Sequence, residues 1–199
     1  MKKPIIALDI DDVLSCTAQT IVDYGNATWG HAHTLNDFNE RMSEMWQVDA
    51  EEANRRWTEF MYSGNFETFT PIPEARQALE KLQSWYTLIA VTSRRESLLD
   101  ITERWLDRNY PGLIAEVHSA GIYGRDLPDS HLLTKADKLL SLGADFLVDD
   151  QPKHCIGAHE AGIRSILFGG YPWQTSVDVP DRVVKCRDWQ AVTSYFEAL

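Results

Sequence analysis

The feature that most narrows the fold is an alternation. Short apolar, β-rich runs occur at "PIIALDI", "YTLIAVT", "AEVHS", "DFLVD", "RSILF" and "RVVK", and most are separated by segments with helical spacing. Runs without a polar alternate belong to strands covered on both faces, and strands joined through helices pair in parallel. The expected architecture is therefore α/β, a parallel sheet with helices on both faces. One crossover helix reads directly, since Ala75, Ala78, Leu79, Leu82 and Trp85 share a stripe just ahead of the strand ending at Thr92.

Residues 15 to 70 interrupt this pattern. "TAQTIVDYG", "LNDFNERMSEMW" and "DAEEANRRWTEFMY" each read as helix, the last opened by Asp49 and Glu52 in capping-box spacing. "FTPIPEA", with its two prolines, reads as the return hinge. The expected organisation is a core of residues 1–14 and 71–199, with a helical insert of residues 15–70. A chain of 199 residues, 44% hydrophobic, is long enough for one core and such a module. Trp46, Trp57, Phe60 and Tyr62 are spaced to pack the insert's helices, with one or two available to stack on a ligand.

Charge excludes some functions. A formal net charge of -11 and the absence of any Lys/Arg-rich run argue against binding polymeric nucleic acid or an anionic membrane. "MKKPIIALDIDD" is too short in apolar residues for a signal peptide or a membrane span, so a soluble, cytoplasmic protein is expected. Cys16, Cys155 and Cys186 are far apart and read as reduced thiols. His31, His33, His118, His131, His154 and His159 show no metal-ligand spacing and read as structural or surface residues.

The acids carry the chemistry. "DIDD" places Asp9, Asp11 and Asp12 where the first strand stops, the edge at which open parallel sheets bind ligands. Three further segments point to that edge. In "AVTSRRES", Thr92 ends a strand, and Ser93 with Glu96 has the spacing of a helix cap. In "LLTKADKLLSLG", Thr134 and Asp137 form a capping box, and Lys135 falls in the first helical turn, where the dipole disfavours a cation. "DFLVDDQPKH" ends a buried-type strand in Asp149 and Asp150, with Pro152 at a first helical position. Carboxylates gathered at one edge need a cation, and an all-oxygen set with room for phosphate suits Mg²⁺. Each residue also has a plainer reading: Asp12 and Asp150 as turn or cap residues, Ser93 as a cap, Lys135 as a solvated lysine.

The four signals, in this order, resemble the haloacid dehalogenase superfamily of phosphatases. "DIDDVL" resembles its Asp-x-Asp motif, "VTS" its second motif, Lys135 its third and "VDD" its fourth. "LVDDQPKH" followed by "GIRSILFGGYPWQ" is similar to the 5'(3')-deoxyribonucleotidase-like group. The resemblance implies a Rossmann-like sheet with a small helical cap after the first strand, and a Mg²⁺-dependent phosphomonoester hydrolase working through an aspartyl-phosphate. Asp9 would be nucleophile and metal ligand, and Asp11 general acid/base, contributing its carbonyl to the metal. Thr92, Ser93 and Lys135 would bind the phosphate, and Asp149 and Asp150 would complete the metal site. Asp12 stands where many members have glycine. The implied partner is a small phosphomonoester, a nucleoside monophosphate or a sugar phosphate. A non-catalytic phosphate-binding or receiver-like signalling protein is the alternative outside enzymes; a receiver has no helical insert after its first strand, and pure binding has no use for Asp11.

Overall fold

The computed structural model describes residues 2–120 and 134–199. Among these, six strands form one sheet: β1 (Ile5–Leu8), β2 (Thr87–Thr92), β3 (Val117–Ser119), β4 (Phe146–Asp149), β5 (Arg164–Phe168) and β6 (Val184–Cys186). The order is β3-β2-β1-β4-β5-β6, and every pairing is parallel. All six apolar runs of the sequence are strands. Along β1, Ile6 and Leu8 join one core cluster while Ile5 and Ala7 join another, so the strand is covered on both faces. That is why it carries no polar alternate.

The crossover helix α5 (Ala75–Leu82) buries Ala75, Ala78, Leu79 and Leu82 as its stripe predicts. Trp85 does not join them. The helix ends at Leu82, and Trp85 is 56% exposed in the turn that follows. The remaining helices of the sheet layers are α6 (Leu99–Asn109), α7 (Lys135–Leu142), α8 (Pro152–Glu160) and α9 (Trp189–Glu197). None of the helices among the described residues is long and apolar enough to cross a membrane.

Between β1 and α5 lie α1 (Thr17–Trp29), α2 (Met42–Met45), α3 (Ala50–Tyr62) and α4 (Asn65–Thr68). The continuous helix expected over "LNDFNERMSEMW" is instead two short pieces, a 3-10 turn at Leu35–Asp37 and α2. Asp37 closes back on Thr34 in a capping box that ends after one turn, and Asn39 Oδ1 accepts from the Arg41 N–H to start a new turn. Local side-chain hydrogen bonds thus outcompete a continuous helix. At α3, Asp49 accepts from the Glu52 N–H as expected, but the Glu52 carboxylate turns to Arg55 and Arg56 instead of completing the box.

The chain leaves β1 and returns to α5 along neighbouring paths. Cys16 N–H donates to the Thr70 carbonyl at 2.8 Å and Ile72 N–H to the Leu14 carbonyl at 2.8 Å. Three buried aromatic side chains hold the same segments from the sheet side: Trp189 Nε1 donates to the Val13 carbonyl, Tyr110 Oη to Leu14 and Trp105 Nε1 to Phe69.

Candidate active site

The strand order reverses at β1, which lies between β2 and β4. A crevice outside the carboxyl ends of these strands is the expected ligand position in an open α/β sheet. Asp9 follows β1 and donates its N–H to the Val148 carbonyl at 2.9 Å, so it is pinned beside the end of β4. Asp149 closes β4 and is fully buried. Lys135 reaches both from the first turn of α7, which opens with the Thr134–Asp137 capping box expected from the sequence. Its ammonium donates to Asp9 Oδ1 at 2.8 Å and Asp149 Oδ2 at 2.7 Å. The solvated reading of Lys135 is excluded, since only 2% of the residue is exposed. Burial pushes its pKa down, but Asp149 and Asp9 more than reverse this and hold it above the ordinary lysine range.

Asp150 is 2% exposed and does not cap α8 through its side chain. Its Oδ2 accepts from Gln151 Nε2 at 2.8 Å and Trp173 Nε1 at 2.9 Å. Asp9, Asp149 and Asp150 bring one carboxylate oxygen each within 4.8 Å of one another, all three residues being buried. Burial raises the Asp9 pKa, Lys135 lowers it, and Asp149 and Asp11 raise it again, to about 7. Asp150 is pushed well above the ordinary carboxylate range by burial and then by Asp149, Asp12 and Asp9. One lysine therefore leaves this set short of positive charge, and a hard divalent cation fits the donors.

Asp11 stands apart from this cluster. Its Oδ1 accepts from Arg94 at 2.6 Å and from the Thr17 hydroxyl at 2.6 Å, and Oδ2 from Arg94 Nε at 3.1 Å. Burial pushes the carboxyl up, but Arg94 and then Thr17 outweigh it and leave the pKa below the ordinary value. Arg94 also donates to Thr102 Oγ1 at 3.0 Å and lies over the rings of Phe66 and Phe69. Asp12 takes φ of +57° and accepts the Ala18 N–H on both oxygens, capping the first turn of α1. A left-handed backbone position favours glycine and tolerates Asp, which explains the sequence difference at this position.

The second segment differs from its expected form. Thr92 is fully buried, and its hydroxyl accepts from the Arg94 N–H at 3.2 Å. Ser93 caps nothing: the 3-10 turn that follows, Glu96–Leu98, has Arg95 at its N-cap. Ser93 Oγ is instead buried without a hydrogen-bond partner among the described residues, and Ser93 and Arg94 line a cavity at this edge. Arg94 is the residue that sequence reading missed. Its only signal is its place two residues after a strand end on an acid-rich edge.

The cavity measures about 420 Å³. Asp9, Asp11, Asp12 and Asp150 lie on its polar side, while Phe38, Met42, Trp57, Met61 and Phe66 come from the segment between β1 and α5. Of the aromatic residues singled out there, only Trp57 lines it. Trp46 and Phe60 are buried in the core, and Tyr62 is 83% exposed. His154 also lines the cavity, while His131 lies outside the described residues.

The comparisons with known proteins agree with this geometry. Residues 3–196 match the family model of the "5' nucleotidase, deoxy (Pyrimidine), cytosolic type C protein". A curated relative, "Putative nucleotidase YqfW" of Bacillus subtilis (strain 168), is 27% identical over 186 residues, covering 92% of this chain and 89% of its own. Among solved structures, the haloacid dehalogenase-like hydrolase SP0104 of Streptococcus pneumoniae superposes with a TM-score of 0.68 at 15% identity, covering 98% of both chains. A haloacid dehalogenase-type hydrolase of Bacillus subtilis, YfnB, bound to magnesium, superposes with a TM-score of 0.63 at 11% identity, covering 99% of this chain and 100% of its own. The chain thus belongs to the cytosolic type C 5'-deoxynucleotidase family and is an enzyme of the haloacid dehalogenase phosphatases.

Proposed function

We propose that this enzyme hydrolyses the phosphomonoester of a nucleoside monophosphate, with deoxyribonucleotides favoured, through an aspartyl-phosphate on Asp9. The observation that carries the reading is the placement of Asp9, backed by Lys135, in a cavity that joins an acidic edge to the rings of Phe38, Trp57 and Phe66, with Ser43 and Asn54 among the other lining residues. A nucleotide has that division, a dianionic phosphate at one end and a flat base at the other. A sugar phosphate has no flat group to set against the rings of Phe38, Trp57 and Phe66, whereas a base does.

The residues divide the work as follows. An Asp9 oxygen attacks phosphorus, and the ester oxygen departs with a proton from Asp11. Asp11 then takes a proton from water, whose oxygen attacks the same phosphorus, releasing phosphate and restoring the Asp9 carboxylate. The Arg94 and Thr17 hydrogen bonds hold Asp11 as a carboxylate, the form the second step needs, so the proton it gives in the first step has to be taken up from solvent as the phosphate dianion binds beside it. Lys135 uses two of its three N–H donors on Asp9 and Asp149, leaving the third for a phosphoryl oxygen. The unpartnered Ser93 hydroxyl is a second donor to the phosphate, while Thr92 supports the loop from beneath. Asp9, Asp149 and Asp150 would hold Mg²⁺, with the Asp11 carbonyl as a further ligand; when bound, the ion neutralises carboxylate and phosphate charge that would otherwise repel. Residues 15–70 would act as a cap over the core of residues 1–14 and 71–199, excluding water around the leaving group.

The test is a panel of deoxyribonucleotides, ribonucleotides, sugar phosphates and an aryl phosphate, each with Mg²⁺ or chelator. Deoxyribonucleotides should be preferred and chelator should abolish turnover. Asp9→Asn should eliminate activity on every substrate, whereas Asp11→Asn should cost about 10²–10⁴-fold and least on the aryl phosphate, whose leaving group needs no proton. Preferred turnover of sugar phosphates, or full activity in chelator, would overturn the reading.

A further inference from the structure

The loop after β5, "YPWQ" at residues 171–174, has no part in the chemistry above, yet it makes three hydrogen bonds to the acidic segments. Tyr171 Oη donates to the Asp12 carbonyl at 2.8 Å, Trp173 Nε1 to Asp150 Oδ2 at 2.9 Å, and Gln174 Nε2 to the Asp150 carbonyl at 2.7 Å. The loop is itself held rigid. Tyr171 and Trp173 stack with ring centres 4.5 Å apart and 7° between planes, and Gln174 Nε2 also donates to the Phe168 carbonyl at 2.7 Å. At Gly169, φ is +99° and a Cβ would fall 2.1 Å from the Tyr171 ring, so only glycine lets the ring lie there.

We propose that Trp173 is a positioning residue for the metal site. Its indole N–H, together with the Gln151 side chain, occupies Asp150 Oδ2. Among the described residues no hydrogen bond reaches Oδ1. A carboxylate with one oxygen engaged by two donors cannot spin about its Cβ–Cγ bond without breaking both, so the other oxygen is presented in a fixed direction. Hydrogen bonds of this kind orient metal-ligating carboxylates, and their removal typically costs 10- to 100-fold in metal affinity. Trp173 acts through Asp150; among the described residues its N–H hydrogen-bonds to Asp150 and not to Asp9 or Asp149. Its N–H is the effective group; the ring's packing against Tyr171 and Phe38 only places it.

The inference rests on the proposed reading of Asp150 as a metal ligand, and the experiment separates the two. Mg²⁺ binding is measured by titration calorimetry on the full chain, without substrate, and thermal stability is measured in chelator. Trp173→Phe keeps an aromatic ring and loses the N–H; Mg²⁺ should bind about 10- to 100-fold more weakly while stability in chelator changes little. Trp173→His, which restores a ring N–H, should bind more tightly than Trp173→Phe. Tyr171→Phe removes a hydrogen bond of the same loop that does not reach Asp150, and it should leave Mg²⁺ affinity as it is. Unchanged affinity in Trp173→Phe, with affinity lost in Asp150→Ala, overturns the role of Trp173 alone. Equal losses in Trp173→Phe and Tyr171→Phe show loop loosening and overturn it as well. Wild-type affinity in Asp150→Ala overturns both the inference and the metal assignment of Asp150. Should Trp173→Phe fail to fold, Trp173→His decides: binding near wild type supports the role, and a loss as large as that of Asp150→Ala overturns it.

Discussion

A lysine in the first turn of a helix faces the positive end of the dipole, and Lys135 does so with its ammonium buried. Such a position is stable only because Asp9 and Asp149 meet it at hydrogen-bond distance. The misplaced charge was legible in sequence and reads there as a phosphate ligand, while its pairing with acids at two strand ends was not. Arg94 was not legible, because an arginine after a strand reads as solvated until a partner 83 residues away is seen to fold against it. Ser93 misled for the opposite reason: the Ser-x-x-Glu spacing is a local signal, and the chain there forms a turn that starts later, with Arg95 at the N-cap position and no side-chain cap. Lys135→Met tests the residue scale. It leaves two carboxylates buried without their cation and should destabilise the metal-free protein by about 3–5 kcal/mol. Urea unfolding in chelator measures this, and stability equal to wild type would show that the pair is not the anchor described.

The elements of the sheet were readable wherever both faces are buried, since a continuous apolar run leaves little alternative to a strand. Helices of the 15–70 segment were readable in kind but not in extent, because Asn39 and Asp37 redirect the backbone locally. Nor could periodicity say which aromatic side chains of that segment face inward to the cavity. Trp57 shares a face of α3 with Ala50, Ala53, Asn54 and Met61, all lining the cavity, and it stacks on Phe60 beneath. Trp46 is 1% exposed and meets the Trp29 ring edge-on. The two tryptophans should therefore respond differently to truncation. Trp57→Ala should raise KM for a nucleotide by an amount equivalent to about 1–3 kcal/mol of stacking, with little change for a small aryl phosphate. Trp46→Ala should cost about 3–5 kcal/mol of stability and affect both substrates alike. Steady-state kinetics beside thermal denaturation separates the outcomes, and a uniform loss in Trp57→Ala would mean that it only packs the segment.

At the scale of the whole molecule, the sequence showed six strands but not their order, which depends on how far each crossover carries the chain. The order places β4 beside β1, and that adjacency concentrates Asp9, Asp149 and Asp150 in one buried volume of a chain already at net charge -11. The consequence is a stability that depends on metal and pH together. Without metal, Asp9 titrates at about 7, mainly because burial disfavours its charge. A carboxyl raised above its unfolded value of about 4 destabilises the fold as pH rises through that interval, because the unfolded chain releases its proton first. Mg²⁺ requires the deprotonated forms of Asp9 and of Asp150, which is also held well above the ordinary carboxylate range, so its binding should tighten as pH rises through this interval. His154 works in the other direction, held neutral by burial down to about 4, so the fold loses stability as pH falls from about 6.5 towards that value. Melting curves at about pH 5, 6, 7 and 8, with chelator or with Mg²⁺ at roughly 100 times its dissociation constant at neutral pH, should show stabilisation that grows from pH 5 to 7. Near neutral pH it should reach about 2.7 kcal/mol, or roughly 5–10 °C for a chain of this size. A shift of constant size at every pH would separate Asp9 from the metal site, and no shift at any pH would remove the metal from these three carboxylates altogether.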